Sequence, residues 1–221
     1  MDVDQLIAEY PRLYHMATAG SWDSIKTNGL WTTEQITTSA GLHPDVVEEL
    51  LTRRRPRSVV IDHPDLGVVS VRDQMPLKMV FLNEVLIDMT VEEWLVTLNN
   101  RVFFWLHENR LNRLLGAKQY RNHEQDVLVI DTRSLVEAHH DRVRLAPMNT
   151  GSTLFPGAPL RGTGTFAPIA EYDYASMRVG RLSENRVVEL AVIDGVHDLA
   201  DHVVAVQRRV GATILGETRV R

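Results

Sequence analysis

The 221-residue chain contains no cysteine. That excludes disulfides, a thiolate nucleophile and cysteine-ligated zinc, and it fits a reducing, cytoplasmic setting. No apolar run approaches the ~20 residues of a membrane helix. The opening MDVDQLIAEY carries acidic residues and no long apolar stretch, so neither a signal peptide nor membrane contact is expected. Positive charge is not in excess: 24 Lys and Arg against 29 Asp and Glu give a formal charge of −5. Any contact with nucleic acid must therefore come from a local patch. The phosphate-binding GxxxxGK[ST] and GxGxxG loops, the HExxH helix and the GxSxG elbow are all missing. The nine histidines show no metal-ligand spacing, so no metal is expected. With no internal repeat and no low-complexity linker, residues 1–221 read as a single domain.

What is present is an uneven alternation of strand and helix signals. RLYHM reads as a strand, followed by a helix over WDSIKTN with Ser21 as its cap and Gly29 just past its end. His43-Pro44 opens a second helix whose apolar face is Val46, Val47, Leu50 and Leu51, and Pro56 closes it. SVVID and GVVSV form a hairpin across HPDLG. Thr90 and Glu93 make a capping-box pattern ahead of EWLVTLNN. RVFFWL is a strand, HENRLNRLLGAK a helix facing inward through Leu111, Leu114 and Leu115, DVLVID a strand and TRSLVEAH a short helix. Residues 146–180 are rich in Gly, Pro and Thr, and loops of that length are often functional. VVELAV is a late strand, and DHVVAVQRRVGATIL mixes helix and strand signals. Helices cluster early and strands in the middle and at the end, which argues an α+β fold on a mixed or antiparallel sheet.

Two polar residues interrupt apolar strands. His15 ends the first, and Glu189 lies among Val187, Val188, Leu190 and Val192. Strict alternation sets Glu189 on the face of Val187 and Ala191, which is small and apolar, and a carboxylate buried there without a partner is costly.

These two stretches carry a resemblance. A strand ending in YH, a small polar turn and then "SI…NGL" is similar to the first strand and helix of ADP-ribosyltransferase-fold enzymes, including DarT-type DNA ADP-ribosyltransferases and RNA 2′-phosphotransferases. VVELAV resembles the DarT-type strand that carries a glutamate, a residue the phosphotransferases do not use there. Ser21-Trp22 stands where DarT-type enzymes usually have asparagine, and RVFFWL is only a loose counterpart of their YVPFYF strand. Over nearly its whole length the chain also resembles an uncharacterised bacterial family with the phrases RDQ.P (Arg72 to Pro76), LN.RVFFW (Leu98 to Trp105), NTGST (Asn149 to Thr153) and VVELAV.

The resemblance implies an ADP-ribosyltransferase-like, split sheet with helices around it, and transfer of ADP-ribose from NAD to an acceptor. It implies Glu189 as the catalytic carboxylate on the ribose, and His15 as a neutral hydrogen-bonding contact to ribose hydroxyls. An arginine downstream of the histidine would bind the pyrophosphate, which points to Arg53, Arg54 or Arg55, with Arg72 as a further candidate. Phe104 and Tyr120 are candidates for the wall of the nicotinamide pocket. Arg110, Arg113 and Arg121, with Asn149, are candidates for holding the acceptor, because cations beside an aromatic suit phosphates and a stacked base. The implied acceptor is single-stranded DNA or RNA, the implied setting a toxin or anti-phage effector, and the implied partners an antitoxin or a macrodomain hydrolase. A non-catalytic NAD- or nucleotide-binding module, an RNA 2′-phosphotransferase and a NAD glycohydrolase are the alternatives.

Overall fold

The computed structural model describes residues 1–220. In chain order the α-helices are α1 (Val3–Glu9), α2 (Trp22–Asn28), α3 (Thr33–Ser39), α4 (Pro44–Thr52), α5 (Met79–Val85), α6 (Val91–Asn99), α7 (Glu108–Leu115), α8 (Thr132–His139) and α9 (Tyr174–Arg178). The strands are β1 (Arg12–Thr18), β2 (Val59–His63), β3 (Gly67–Val71), β4 (Arg101–Trp105), β5 (Glu124–Asp131), β6 (Val143–Ala146), β7 (Glu189–Ile193), β8 (Val203–Val210) and β9 (Thr213–Arg219). Seven strands form one antiparallel sheet in the order β6-β7-β4-β1-β5-β8-β9, and β2-β3 is a separate hairpin. The α+β class follows the sequence reading, and of its two sheet options the antiparallel one is found.

Local chemistry accounts for the elements. β5 is buried along Gln125–Ile130, on both faces, and its apolar run is Val127–Ile130. Both halves of the capping box at Thr90 and Glu93 are made, and α6 buries Trp94, Leu95 and Leu98. Gly29 ends α2 at φ +75°, where a Cβ would lie 2.3 Å from the Cα of His197, so only glycine fits. Ser21, by contrast, makes no capping hydrogen bond. The tail that mixed its signals is the hairpin β8-β9; α1, α3, α5 and β6 were not expected, although Thr32 and Gln35 form a capping box at the start of α3.

One face of the sheet buries Leu13, Phe104, Leu128, Leu190 and Val192 with Leu6 of α1, Ile25 of α2 and Leu135 of α8. On the opposite face α5 and α6 pack on Phe103 and Ala191, and α7 packs on Met16 and Val127. α4 presents Leu50 to Ile61 and Val71 of the hairpin. Val46, read as part of that apolar face, is 43% exposed.

The sheet's centre is uneven. β1 pairs with β5 over seven residues, from Arg12↔Asp131 to Thr18↔Gln125, but with β4 only at Tyr14↔Trp105. The two central strands part beyond that pair, and a cleft opens between them.

Candidate active-site cleft

The cleft has a volume of about 850 Å³, the size of a small-molecule site. His15–Gly20 and Val102–Trp105 form its walls, the β2-β3 hairpin contributes Val68–Val71, and Glu189, Asn149 and Thr150 close one end. His15, Arg72, Tyr120, Asn149 and Glu189 line this one space, as does Phe104.

His15 sits where β1 leaves β4. Its Nδ1 lies 2.9 Å from the carbonyl oxygen of Phe103. A carbonyl can only accept, so Nδ1 carries the proton and donates, meeting the need of a β4 carbonyl that faces the parted strand. Nε2 is then left as an acceptor. The ring packs against Phe104 at 5.7 Å. Burial pushes its pKa down to about 4, and the Arg72 charge pushes the same way, so the imidazole is neutral at pH 7.

Glu189 opens β7, opposite Trp105 on one side and Ala146 on the other. It is 4% exposed. Its Oε2 accepts from the Thr150 N–H at 3.0 Å and the Thr150 hydroxyl at 2.6 Å. Burial raises its pKa to about 7, against those two hydrogen bonds and the charges of Arg161 and Arg110, all of which lower it. The carboxyl group is thus poised to exchange a proton near neutrality.

Arg72 follows β3. Its Nη2 donates to Gln125 Oε1 at 2.7 Å, and its guanidinium lies 5.0 Å from the centre of the Tyr120 ring. Among the described residues no carboxylate lies within 4 Å of it. Its neighbour Asp73 instead accepts from the Tyr120 hydroxyl at 2.9 Å and the Met75 N–H at 3.0 Å. Burial lowers the Arg72 pKa, yet it stays a cation at neutral pH. The nearby Asp73 charge favours the cation, but a half-buried guanidinium with no carboxylate in direct contact, facing a cleft, suits a phosphate group.

The other arginines are placed differently from the sequence reading. Arg53 is exposed and does not line the cleft. Arg54 donates to the carbonyls of Gln74 at 3.2 Å and Met75 at 2.9 Å, outside the cleft. Arg55 does line it, but its three donor groups go to Arg72 O, Leu50 O and Asn99 Oδ1. Arg55 therefore buttresses the Arg72 backbone, and burial lowers its own pKa to about 10.

Arg110 and Arg113 do not reach the cleft as acceptor contacts. Arg110 donates to Glu184 O at 3.1 Å and to Asn185 Oδ1, and Arg113 pairs with the Glu184 carboxylate. Asn109 Nδ2 holds the other Glu184 oxygen at 2.8 Å. This face of α7 is a clamp on the segment leading into β7. Arg121 is exposed and lies outside the cleft. Phe104 is 1% exposed and belongs to the core, reaching the cleft beside His15, whereas Phe103 and Trp105 are half-buried in its wall.

Trp31, Gln74, Asn99, Thr150 and Arg161 also shape the site and were not singled out from sequence. Thr150 lies in the NTGST phrase, and Arg161 is an isolated cation within the Gly- and Pro-rich stretch, which is a usable signal for both.

A family of unknown function (DUF7002) matches residues 11–203, a span that runs from β1 into β8 and holds His15, Arg72 and Glu189. The chain belongs to that family. No curated protein matches it.

One further polar cluster of this family member lies away from the cleft. His139 Nε2 is 2.8 Å from Asp198 Oδ1, and His202 Nε2 is 3.4 Å from Asp198 Oδ2. Arg142 Nη2 lies 2.6 Å from His139 Nδ1. Arginine can only donate, so Nδ1 accepts and the His139 proton sits on Nε2, aimed at Asp198. A cation here would displace both that proton and Arg142. Of the two histidines, Asp198 is hydrogen-bonded to His139 alone, while His202 Nδ1 lies 2.7 Å from Ser134 Oγ, and together these bonds tie α8 to the 198–202 turn.

Proposed function

We propose that this chain is a NAD-dependent mono-ADP-ribosyltransferase with Glu189 as its catalytic carboxylate. The observation that carries the reading is the convergence in one cleft of a neutral imidazole acceptor, an arginine with no carboxylate in direct contact and a buried carboxylate.

In this reading Arg72 takes the pyrophosphate, stacked on Tyr120, and His15 Nε2 accepts from a ribose hydroxyl. The N-glycosidic bond breaks with its electron pair leaving on nicotinamide, which departs neutral. The ribose carbon becomes oxocarbenium-like, and the Glu189 carboxylate faces that charge. The acceptor nucleophile then bonds to the same carbon, and its proton passes to Glu189, whose elevated pKa suits it to receive one.

We place the acceptor as a base of single-stranded DNA or RNA. With Arg110 and Arg113 committed to Glu184 and Asn185, the support for it within the cleft is Tyr120 and Asn149. The toxin or anti-phage role, with an antitoxin or macrodomain hydrolase as partner, follows from the same reading.

The test is incubation with NAD labelled in its adenylate phosphate, with DNA, RNA and protein pools, alongside chromatography of released nicotinamide. Expected are transfer and nicotinamide release by the wild type and a loss of about 10²-fold or more in Glu189→Gln, the size seen when transition-state electrostatics are removed. No release by the wild type, or equal rates in the variant, refutes the proposal. Binding of NAD without release marks a non-catalytic module. Release with no transfer to any pool marks a glycohydrolase, and activity on a 2′-phosphate that survives Glu189→Gln marks a phosphotransferase.

A further inference from the structure

Arg161 is among the most buried side chains of the described residues, at 1% exposure, yet it has no carboxylate within 4 Å. Its main chain is anchored by the end of α5: its N–H donates to Val85 O at 2.8 Å and its carbonyl accepts from Ile87 N at 3.2 Å. Its side chain reaches back under the NTGST segment. Nη1 donates to the carbonyls of Thr150 and Ser152, each at 3.1 Å, and Nε donates to Pro159 O at 3.2 Å. The guanidinium lies 5.9 Å from the ring centre of the fully buried Trp94, and its Nη2 has no hydrogen-bond partner.

Holding carbonyls needs donors, and neutral amides supply those. What a guanidinium adds is a fixed charge, and burying one without a counter-anion is costly. The carboxylate it reaches through a single residue is Glu189: Arg161 holds the carbonyl of Thr150, while the N–H and hydroxyl of Thr150 hold Glu189 Oε2.

We propose that Arg161 is a positioning residue for Glu189, fixing the loop that presents Thr150 to the carboxylate and supplying the buried positive charge that supports its ionised form. The catalytic consequence rests on the transferase reading, since only an ionised Glu189 can face an oxocarbenium ion. The electrostatic relay itself does not need NAD. Burial drives Glu189 toward the neutral acid, and the Arg161 charge is one of the forces that oppose it.

The experiment is a ¹³C-carboxyl NMR titration of glutamate-labelled protein without NAD, with the Glu189 signal assigned by its loss in Glu189→Gln. Three proteins are compared: wild type, Arg161→Gln and Arg161→Lys. The wild-type midpoint is expected near 7. Arg161→Gln keeps an amide donor for the loop and loses the charge, so its midpoint should rise by about one pH unit. Arg161→Lys keeps the charge and should stay near the wild-type midpoint even if its melting temperature falls. An unchanged midpoint in Arg161→Gln, with only a lower melting temperature, shows a purely structural residue and overturns the proposal. Should Arg161→Gln not fold, citrulline placed at position 161, which keeps the shape and donors of arginine without its charge, takes its place: a midpoint about one unit above wild type sustains the proposal, and an unchanged midpoint overturns it. Because no NAD is involved, failure here leaves the nicotinamide-release test untouched, and failure there leaves this one standing.

Discussion

Replacing Glu189 with glutamine should make the protein more stable, and by an amount that depends on pH. Burial raises the carboxyl pKa from 4.5 in the unfolded chain to about 7 in the fold. That rise of about 2.5, at about 1.36 kcal/mol per pH unit, gives roughly 3 kcal/mol. A raised folded pKa means that the folded protein holds the proton longer than the unfolded chain. The contribution is therefore fully present below pH 4.5 and is lost as pH rises through about 7. Glutamine keeps an acceptor for the Thr150 N–H and hydroxyl and never ionises. The two proteins should match near pH 4.5, and Glu189→Gln should be more stable by about 3 kcal/mol at pH 8. His15 acts in the opposite sense. Its pKa falls from 6.5 to about 4, so its contribution is present above pH 6.5 and is lost as pH drops through about 4. Between pH 4.5 and 6.5 the two slopes offset one another in the wild type, and only subtraction of the variant's curve exposes the glutamate. Urea unfolding at intervals from pH 4.5 to 8 measures this directly. A difference between the two proteins that does not change with pH refutes the claim that Glu189 is a desolvated carboxyl group.

Other perturbations separate binding from framework. Arg72→Met should weaken NAD binding about 10- to 100-fold, the loss of one charge-assisted contact, with only a modest fall in melting temperature from the Gln125 acceptor it leaves unpaired; calorimetry that finds the same affinity would exclude Arg72 as the anion contact. Arg113→Met should do the reverse, costing about 1 kcal/mol in urea unfolding while leaving the NAD affinity unchanged, because its partner is Glu184. Gly29→Ala should destabilise by at least about 2 kcal/mol, since it combines a positive φ with a Cβ driven into the His197 backbone. Unfolding within a few tenths of a kcal/mol of wild type would show that the α2 end relaxes freely.

The sequence reading picked out residues that line the cleft where a residue broke a local pattern. His15 and Glu189 stand out because each is a polar group inside an apolar strand, and a strand's two-residue period leaves few places for it to point. The capping box of α6 and the strand DVLVID were visible from their own local patterns. It failed where the deciding partner is far along the chain. Arg53, Arg54 and Arg55 share one helix end, and which of them turns inward depends on Asn99 and on Leu50 O. Arg110 and Arg113 look like a free cationic face until Glu184, more than seventy residues later, is folded against them. β6 is four residues long, too short for a period to show, and its neighbours in the sheet rather than its own residues make it a strand.

The single register pair between β1 and β4 has a mechanical consequence. Three strands, β6-β7-β4, hang together on one side of Tyr14↔Trp105, and four, β1-β5-β8-β9, on the other. The sheet is thus two plates joined at a seam, and the groups that face the cleft are divided between them: Glu189 belongs to one plate, His15 and the Gln125 that anchors Arg72 to the other. A molecule gripped by all of them would act as a cross-brace, stiffening a joint that the backbone ladder leaves loose. Amide exchange at the seam should then slow on binding more than exchange inside either plate.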